Sequence, residues 1–226
     1  MNLYVKNHNF HFELENLTRL FFPNEKITVI RDFSEPQPPY IYTEVSDKIT
    51  ISVNIGSFNK SETAVKKLVD DDNELVSAQL LYKLLCDFTG LTQPWGMLTG
   101  VRPVKLLRRL AEESNEEQAV KKFEKDFFVS NEKIALSRET EHNERKILEL
   151  SKPESFSLYV GIPFCPSRCS YCSFVMASIE RAEKLIEPYT KLLCEEIKRT
   201  AEIASKLGLR LETVYFGGYS LRIYAD

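Results

Sequence analysis

Residues 157–174, SLYVGIPFCPSRCSYCSF, join a short apolar run directly to a group of three cysteines. Cys165, Cys169 and Cys172 have the spacing C-x3-C-x2-C in a loop that follows a predicted strand. Three thiolates this close in sequence can converge on one inorganic centre because the loop curls around it. A structural zinc site needs four ligands, so three cysteines leave one coordination position open, as catalytic sites do.

A fourth protein ligand is not evident near these cysteines. Cys194 lies within a later helical pattern, and His142 lies in the helical region that precedes the motif. Neither forms a pair with a second ligand at the spacing of a zinc finger. A closed zinc module is therefore kept as an alternative to a three-ligand catalytic centre.

The sequence after the cysteines predicts a helix followed by a strand. Apolar residues recur at helical spacing, and Gly208 is placed to end the helix. These apolar positions are Leu192, Leu193, Ile197, Ala201, Ala204 and Leu207. Residues 212–218, ETVYFGG, then indicate a buried strand that runs into glycines. A strand, a helix and a second strand form a βαβ unit, whose parallel strands belong to an α/β sheet or barrel.

The first two thirds of the chain, residues 1–152, are predicted to form a separate α+β domain. Residues 153–226 are predicted to form a second domain, which contains the βαβ unit. Alternating apolar residues in 10–15 and 49–53 indicate strands of a small antiparallel sheet within 1–59. A helical pattern is predicted from Ser61 through residue 152. Gly90 would end its first part, and Pro103 would lie in the first turn of the next helix.

Composition excludes several classes of protein. Of the 226 residues, 43% are hydrophobic and 28% are charged, which is enough apolar surface to exclude a wholly disordered chain. The net charge of −3 provides no overall field for nucleic acid. The N-terminal residues do not resemble a signal peptide, and no run approaches the roughly 18 apolar residues of a membrane span. Five cysteines, three of them clustered, favour a reducing compartment, so we expect a cytoplasmic location.

The motif resembles that of the radical S-adenosylmethionine (SAM) enzymes, and within them the oxygen-independent coproporphyrinogen III oxidase-like proteins. The resemblance is carried by residues 159–174 and by 214–218, VYFGG. The tract from Thr92 to Pro103, TQPWGMLTGVRP, is similar to the subgroup called coproporphyrinogen dehydrogenases, which have an additional N-terminal domain.

The resemblance implies a cofactor set and a reaction. Cys165, Cys169 and Cys172 would bind three irons of a [4Fe-4S] cluster, and SAM would chelate the fourth iron. Reductive cleavage of SAM would then start the oxidative decarboxylation of coproporphyrinogen III propionates to vinyl groups, a step of porphyrin and heme biosynthesis. The implied partners are a porphyrinogen substrate and an electron donor such as flavodoxin or ferredoxin.

The resemblance also implies which residues contact SAM. By motif position, Tyr159 would lie near the sulfonium and Tyr171 near the adenine. Gly217 and Gly218 would allow the end of the second strand to approach the methionyl amino group, because glycine permits close backbone contact.

The sequence departs from the family pattern at two places. Tyr219 and Ser220 stand where family members continue with a third glycine and a threonine, and too few residues follow for a complete barrel. We therefore expect a C-terminally truncated chain that holds the first βαβ unit of an incomplete barrel and has doubtful activity of its own. Phe174 stands where coproporphyrinogen oxidases have a further cysteine, which leaves open a heme-binding or heme-delivery protein as the alternative function.

Other reactive or charged residues are expected to have ordinary roles. Cys86 and Cys194 lie beside leucines on helical faces and are predicted to pack as small apolar side chains. The basic residues between Arg102 and Arg109 are predicted to form a solvated helix face, with recognition of substrate carboxylates as the alternative.

Overall fold

The computed structural model describes residues 1–100 and 102–218. It has a mixed α/β fold and divides into two compact units, Met1–Glu144 and Arg145–Asp226. The first unit combines a sheet with helices and the second contains a βα arrangement, so the predicted fold class is confirmed. The placement of the domain boundary at residue 152 stays a prediction.

A five-stranded mixed sheet forms the base of the first unit. Its strands are β1 (Asn2–Lys6), β2 (Thr28–Ile30), β3 (Tyr40–Val45), β4 (Lys48–Ile55) and β5 (Phe58–Val65). The strand order is β2-β1-β3-β4-β5. β1 is parallel to both β2 and β3, whereas β3, β4 and β5 are antiparallel. The prediction of an antiparallel sheet is therefore wrong for its β2-β1-β3 half, because a helical crossover joins β1 to β2 and allows them to be parallel.

That crossover is helix α1 (His11–Phe21), where the alternation of apolar residues predicted a strand. Leu14, Leu17 and Phe21 are buried at three- and four-residue spacing, whereas Phe12 is mostly exposed. The helical period therefore determines which residues reach the core, and the strand predicted for residues 10–15 is wrong.

The first long helix begins later than the sequence pattern indicates. Residues 61–65 belong to strand β5, and Val65 is 77% exposed rather than on a buried helix face. Helix α2 (Asp70–Thr89) starts with three aspartates, which are favourable near the positive end of the helix dipole. The Asn73 side chain accepts a hydrogen bond from the Lys67 amide (2.7 Å) and donates one to the Lys67 carbonyl (3.1 Å), which anchors this helix start. The predicted helical onset at Ser61 is therefore wrong.

Two predicted features of the helical region are confirmed. Gly90 ends α2 in a left-handed conformation with φ of 70°, and Pro103 occupies the first turn of α3. The helices that follow α2 are α3 (Pro103–Glu113), α4 (Glu116–Lys125) and α5 (Asn131–Leu148).

The first unit has two apolar clusters. The larger one lies between the sheet and helices α1 and α2, and its most buried side chains are Leu3, Leu14, Leu17, Ile41, Ile49, Ile51, Val53, Leu81, Leu84 and Leu85. The smaller one contains Leu107 and Phe123 of α3 and α4 together with Ile134 of α5. Trp95 packs against this second cluster, so part of the Thr92–Pro103 tract has a structural role.

The second unit contains the predicted strand, helix and strand. β6 (Ser155–Gly161) is parallel to β9 (Arg210–Gly217), and helix α6 (Ile179–Lys206) joins them. Two short strands, β7 (Phe164–Cys165) and β8 (Ala177–Ser178), also pair in parallel. Among the described residues, no helix is both long and apolar enough to cross a membrane.

The imidazole of His8 makes the first unit sensitive to pH. It stacks on Phe10 with ring centroids 4.1 Å apart, and its Nε2 lies 2.9 Å from Thr43 Oγ1. Burial is the main reason that the pKa of His8 is lowered from 6.5 to about 4, and the charges of His11 and Arg31 lower it further, whereas interaction with the Thr43 backbone opposes the shift.

We expect the first unit to lose stability between pH 6.5 and pH 4 because of His8. In this window an unfolded histidine binds a proton that the folded ring excludes, so falling pH favours unfolding. Allowing for partial exposure of the ring, the loss is about 1–2 kcal/mol. Urea unfolding at pH 7 and pH 4.5 measures it, with His8→Gln as the control that should lose less. Equal losses in both proteins would contradict this assignment.

Candidate functional site

The carboxyl ends of the two parallel strands lie side by side. In the register of the pair, Tyr159 is opposite Tyr215 and Gly161 is opposite Gly217. The pairing continues past the strand ends, since the Ile162 amide donates a hydrogen bond of 2.8 Å to the Gly217 carbonyl. In α/β folds this edge is where binding sites form.

The cysteine motif begins at this edge and forms a closed loop. Phe164 and Cys165 of β7 pair with Ala177 and Ser178 of β8, and the Ala177 amide donates to the Pro163 carbonyl (2.7 Å). The two ends of the loop are thereby held together. Residues 166–176 between them contain the other two cysteines.

Within the loop, hydrogen bonds from the backbone and from Arg168 fix the chain around Cys172. Its amide donates to the Cys169 carbonyl (3.0 Å), and its own carbonyl accepts from an Arg168 Nη (3.3 Å). Cys169 is exposed, whereas Cys165 and Cys172 are partly buried.

The three thiols are close enough to affect each other electrostatically. Burial raises the pKa of the Cys165 thiol, and the neighbouring Cys172 and Cys169 raise it further because one thiolate disfavours another. Cys165 Sγ also lies 4.0 Å from the Gly218 carbonyl oxygen, which brings the end of β9 to the loop. The three cysteines therefore lie near one another in the loop, and their role as cluster ligands stays a prediction.

The donor set fits an iron–sulfur cluster on its chemistry. Thiolates are the usual protein ligands of such clusters, and each would bind a different iron, so they need not meet at one ion. Across residues 1–100 and 102–218, no three His, Cys, Asp or Glu side chains are placed to hold a single metal ion.

Two tyrosines cover the open face of the strands beside this loop. The rings of Tyr159 and Tyr215 stack with centroids 5.6 Å apart and an interplanar angle of 21°, and both are more than half exposed. A Cβ atom on Gly217 would lie 2.6 Å from the Tyr215 ring and 2.8 Å from the Tyr159 ring. A larger residue at position 217 would therefore require these two rings to move.

A different contact accounts for the glycine at position 218. Gly218 has φ of 94°, which L side chains rarely adopt, and a Cβ there would lie 2.6 Å from the Ile162 carbonyl oxygen. Both glycines thus have steric reasons within the chain itself. Their contacts with SAM stay predictions.

Tyr171 lies on the outside of the cysteine loop and is 86% exposed. A hydrogen bond with Cys169 and the charges of Cys169 and Cys172 raise the pKa of its hydroxyl. It is thus near the thiols, and its predicted contact with adenine stays a prediction. Tyr219 and Ser220, where the sequence departs from the family pattern, lie outside the described residues.

Tyr189 of helix α6 was not predicted from the sequence as a residue of this site. Its hydroxyl donates a hydrogen bond of 2.6 Å to the Gly161 carbonyl, and its ring packs edge-on against Phe164. Ala182, two turns earlier on the same helix, is buried. Residues seven positions apart share a helix face, so this spacing was the signal in the sequence that Tyr189 faces the strands.

The remaining cysteines, Cys86 and Cys194, are not part of the cysteine loop. Cys86 packs against the larger apolar cluster, as predicted, and burial is the main cause of its raised pKa. Cys194 lies on an exposed face of helix α6. Its prediction as a packed apolar residue is therefore wrong.

The basic residues of α3 have two different surroundings. Arg108 contacts Glu141 (3.3 Å) and Glu144 (2.8 Å), whereas Arg102 and Lys105 are exposed. The exposed pair is in keeping with the predicted solvated face.

Comparison with known proteins identifies two relatives. The chain is 29% identical over 222 residues to the oxygen-independent coproporphyrinogen-III oxidase-like protein HemZ of Bacillus subtilis, an alignment covering 92% of this chain and 44% of that protein. It is 36% identical over 81 residues to the oxygen-independent coproporphyrinogen III oxidase of Bradyrhizobium diazoefficiens, covering 36% of this chain and 18% of that protein. The chain thus spans less than half the length of either relative.

Two further comparisons give no match. No protein-family profile matches the sequence, and no solved structure is similar to it. The similarity to HemZ nevertheless extends over nearly the whole chain. HemZ is named as a protein of the kind that the cysteine motif resembles. The chain is therefore similar, over nearly its whole length, to an oxygen-independent coproporphyrinogen-III oxidase-like protein.

Proposed function

We propose that this chain provides the cofactor-binding part of a radical SAM oxidoreductase of porphyrin and heme biosynthesis. The observation that carries the proposal is the closed loop that gathers Cys165, Cys169 and Cys172 at the carboxyl ends of β6 and β9. The names of the two relatives refer to oxidation of coproporphyrinogen III, which supports a role in porphyrin and heme biosynthesis. Coproporphyrinogen III is the substrate in this proposal, and its propionates are the groups that react, as the family resemblance implies.

In this proposal the three cysteines hold a [4Fe-4S] cluster with one iron left open to SAM. The cluster, when bound, supplies the electron for reductive cleavage of SAM. The chain supplies thiolates for the cluster from Cys165 and Cys172, which are partly buried, and from Cys169, which faces solvent.

The strand face beside the loop is suited to a sulfonium cation. Tyr159 and Tyr215 stack and still expose more than half of their surface, so an aromatic face is open to a ligand. A cation over such a face is attracted by the ring quadrupole, by about 0.5–1 kcal/mol at an exposed site. This supports the placement of Tyr159 near the sulfonium of SAM and of Gly217 and Gly218 near its methionyl group.

Titration of the anaerobically reconstituted and reduced chain with SAM tests the proposal. We expect SAM to change the electron paramagnetic resonance spectrum of the cluster, because the amino and carboxylate groups chelate an iron that lacks a protein ligand. The matched control is Cys169→Ala, which should give no cluster signal to perturb.

The heme-delivery alternative makes the opposite prediction for the same protein. Heme would then bind with a shift of its Soret band, while SAM would leave the cluster spectrum unchanged. That pair of results would contradict the proposed function.

A further inference from the structure

We propose that Tyr189 is a positioning residue that holds the cysteine loop against the carboxyl end of β6. This inference deepens the proposed function. It rests on that function only for the identity of the bound group, the iron–sulfur cluster. Tyr189 lies on helix α6, 17 residues beyond Cys172 in the sequence. It nevertheless contacts the chain on both sides of the point where the strand ends and the loop begins.

The hydroxyl fixes the end of the strand. It donates a hydrogen bond of 2.6 Å to the carbonyl of Gly161, the last residue of β6, at a partly buried position. The next amide, that of Ile162, donates to the Gly217 carbonyl at 2.8 Å. The peptide between Gly161 and Ile162 is therefore held by α6 on its carbonyl side and by β9 on its amide side.

The ring fixes the start of the loop. It packs edge-on against Phe164, with ring centroids 5.2 Å apart and an interplanar angle of 87°. Phe164 is only 5% exposed and directly precedes Cys165. Edge-to-face aromatic pairs of this geometry are favourable beyond the burial of their area.

One side chain thus restrains both ends of a very short segment. Only Ile162 and Pro163 lie between Gly161 and Phe164, so fixing these two residues limits where Cys165 is placed relative to Gly218. Loss of the hydroxyl would leave a partly buried carbonyl without this donor, which costs about 1 kcal/mol. The expected consequence is a more frequently open cysteine loop in a chain that is otherwise folded.

The test is the alkylation rate of each cysteine in the metal-free chain, read by peptide mass spectrometry after iodoacetamide treatment. Tyr189→Phe keeps the ring and should raise the rate at Cys165 by roughly five- to tenfold. Tyr189→Leu also removes the contact with Phe164 and should raise the rate further. Cys194, which is exposed on the same helix, is the internal reference and should not change.

Tyr82→Phe is the matched control variant. The Tyr82 hydroxyl also bonds to a backbone group, accepting from the Gln93 amide at 3.1 Å, but it lies in the first unit. It should leave the rate at Cys165 unchanged. An equal increase at Cys165 in Tyr82→Phe, or no increase in either Tyr189 variant, would overturn the proposal.

Cluster retention separates this proposal from the proposed function. After anaerobic reconstitution, Tyr189→Phe should start with the same iron content as the unaltered chain and lose its cluster to a chelator several-fold faster. If no variant assembles a cluster while Cys165 alkylation still increases, the proposed function fails and the positioning role stands. If clusters assemble and their lifetimes are equal in all variants, the positioning role fails and the proposed function stands.

Discussion

Cys165→Ala, Cys169→Ala and Cys172→Ala are each expected to abolish the broad absorbance near about 400 nm that a reconstituted iron–sulfur cluster gives. The three thiols lie in one loop, and each would be the protein ligand of a separate iron. Removal of any one leaves an iron without its thiolate, so two remaining ligands cannot retain the cluster. Anaerobic reconstitution followed by absorption spectroscopy measures the effect.

The other two cysteines provide the control for this experiment. Cys86 is partly buried against the larger apolar cluster, and Cys194 is exposed on helix α6. Cys86→Ala and Cys194→Ala should therefore keep the absorbance. Loss of the chromophore in Cys194→Ala to the same extent as in the loop variants would contradict a centre held by three cysteines.

Gly96→Ala is expected to cause the largest loss of stability among the glycine variants. Gly96 has φ of 57°, and a Cβ atom there would lie within 1.9 Å of the Phe127 carbonyl oxygen and 2.6 Å of the Phe128 carbonyl carbon. Backbone atoms cannot move aside as a side chain can. The same oxygen also accepts a hydrogen bond from the Met97 amide (3.0 Å), which the clash would break. We expect a loss of about 3–5 kcal/mol in the free energy of unfolding.

Gly90→Ala separates the clash from the cost of the left-handed backbone. Gly90 has φ of 70°, but a Cβ atom there meets nothing within 4 Å. Its replacement should cost only about 1 kcal/mol, the price of the unfavourable φ. Urea unfolding of both variants measures the difference. Equal losses would show that the contact with residues 127 and 128 does not restrain the loop at Gly96.

Local signals in the sequence were enough to predict the second unit. The apolar run before the cysteines, the amphipathic pattern of α6 and Gly208 after it each depend on neighbouring residues only. They correspond to β6, α6 and β9 as observed. The prediction that the second strand is buried is wrong, because nearly all residues of β9 are exposed. The three-cysteine loop was likewise predictable, because its cysteines follow each other closely in the sequence.

Two elements of the first unit were not predictable from apolar periodicity. Three apolar residues at alternate positions, Phe10, Phe12 and Leu14, fit a strand, and only the later Leu17 and Phe21 show the helical period of α1. β5 was not predicted because it lacks a pattern of buried apolar residues. Nearly all of its residues are exposed, and in the sheet order it lies at the end next to β4, so no buried face marks it as a strand.

Long-range contacts explain what the sequence could not reveal about the site. Tyr189 reaches Gly161 across 28 positions, a pairing that no local pattern encodes. The steric reasons for Gly217 and Gly218 depend on Tyr159 and Ile162 from the neighbouring strand end. Motif position alone assigned these glycines to cofactor contact, and that assignment stays a prediction.

We propose that Cys165, Cys169 and Cys172 hold a [4Fe-4S] cluster with one iron open to SAM. The decisive measurement is the content of iron, acid-labile sulfide and zinc per chain, on protein purified without oxygen and reconstituted. We expect about four irons and about four sulfides per chain, with no stoichiometric zinc. One zinc per chain with neither iron nor sulfide would contradict it and would favour the cysteine-bound zinc module instead.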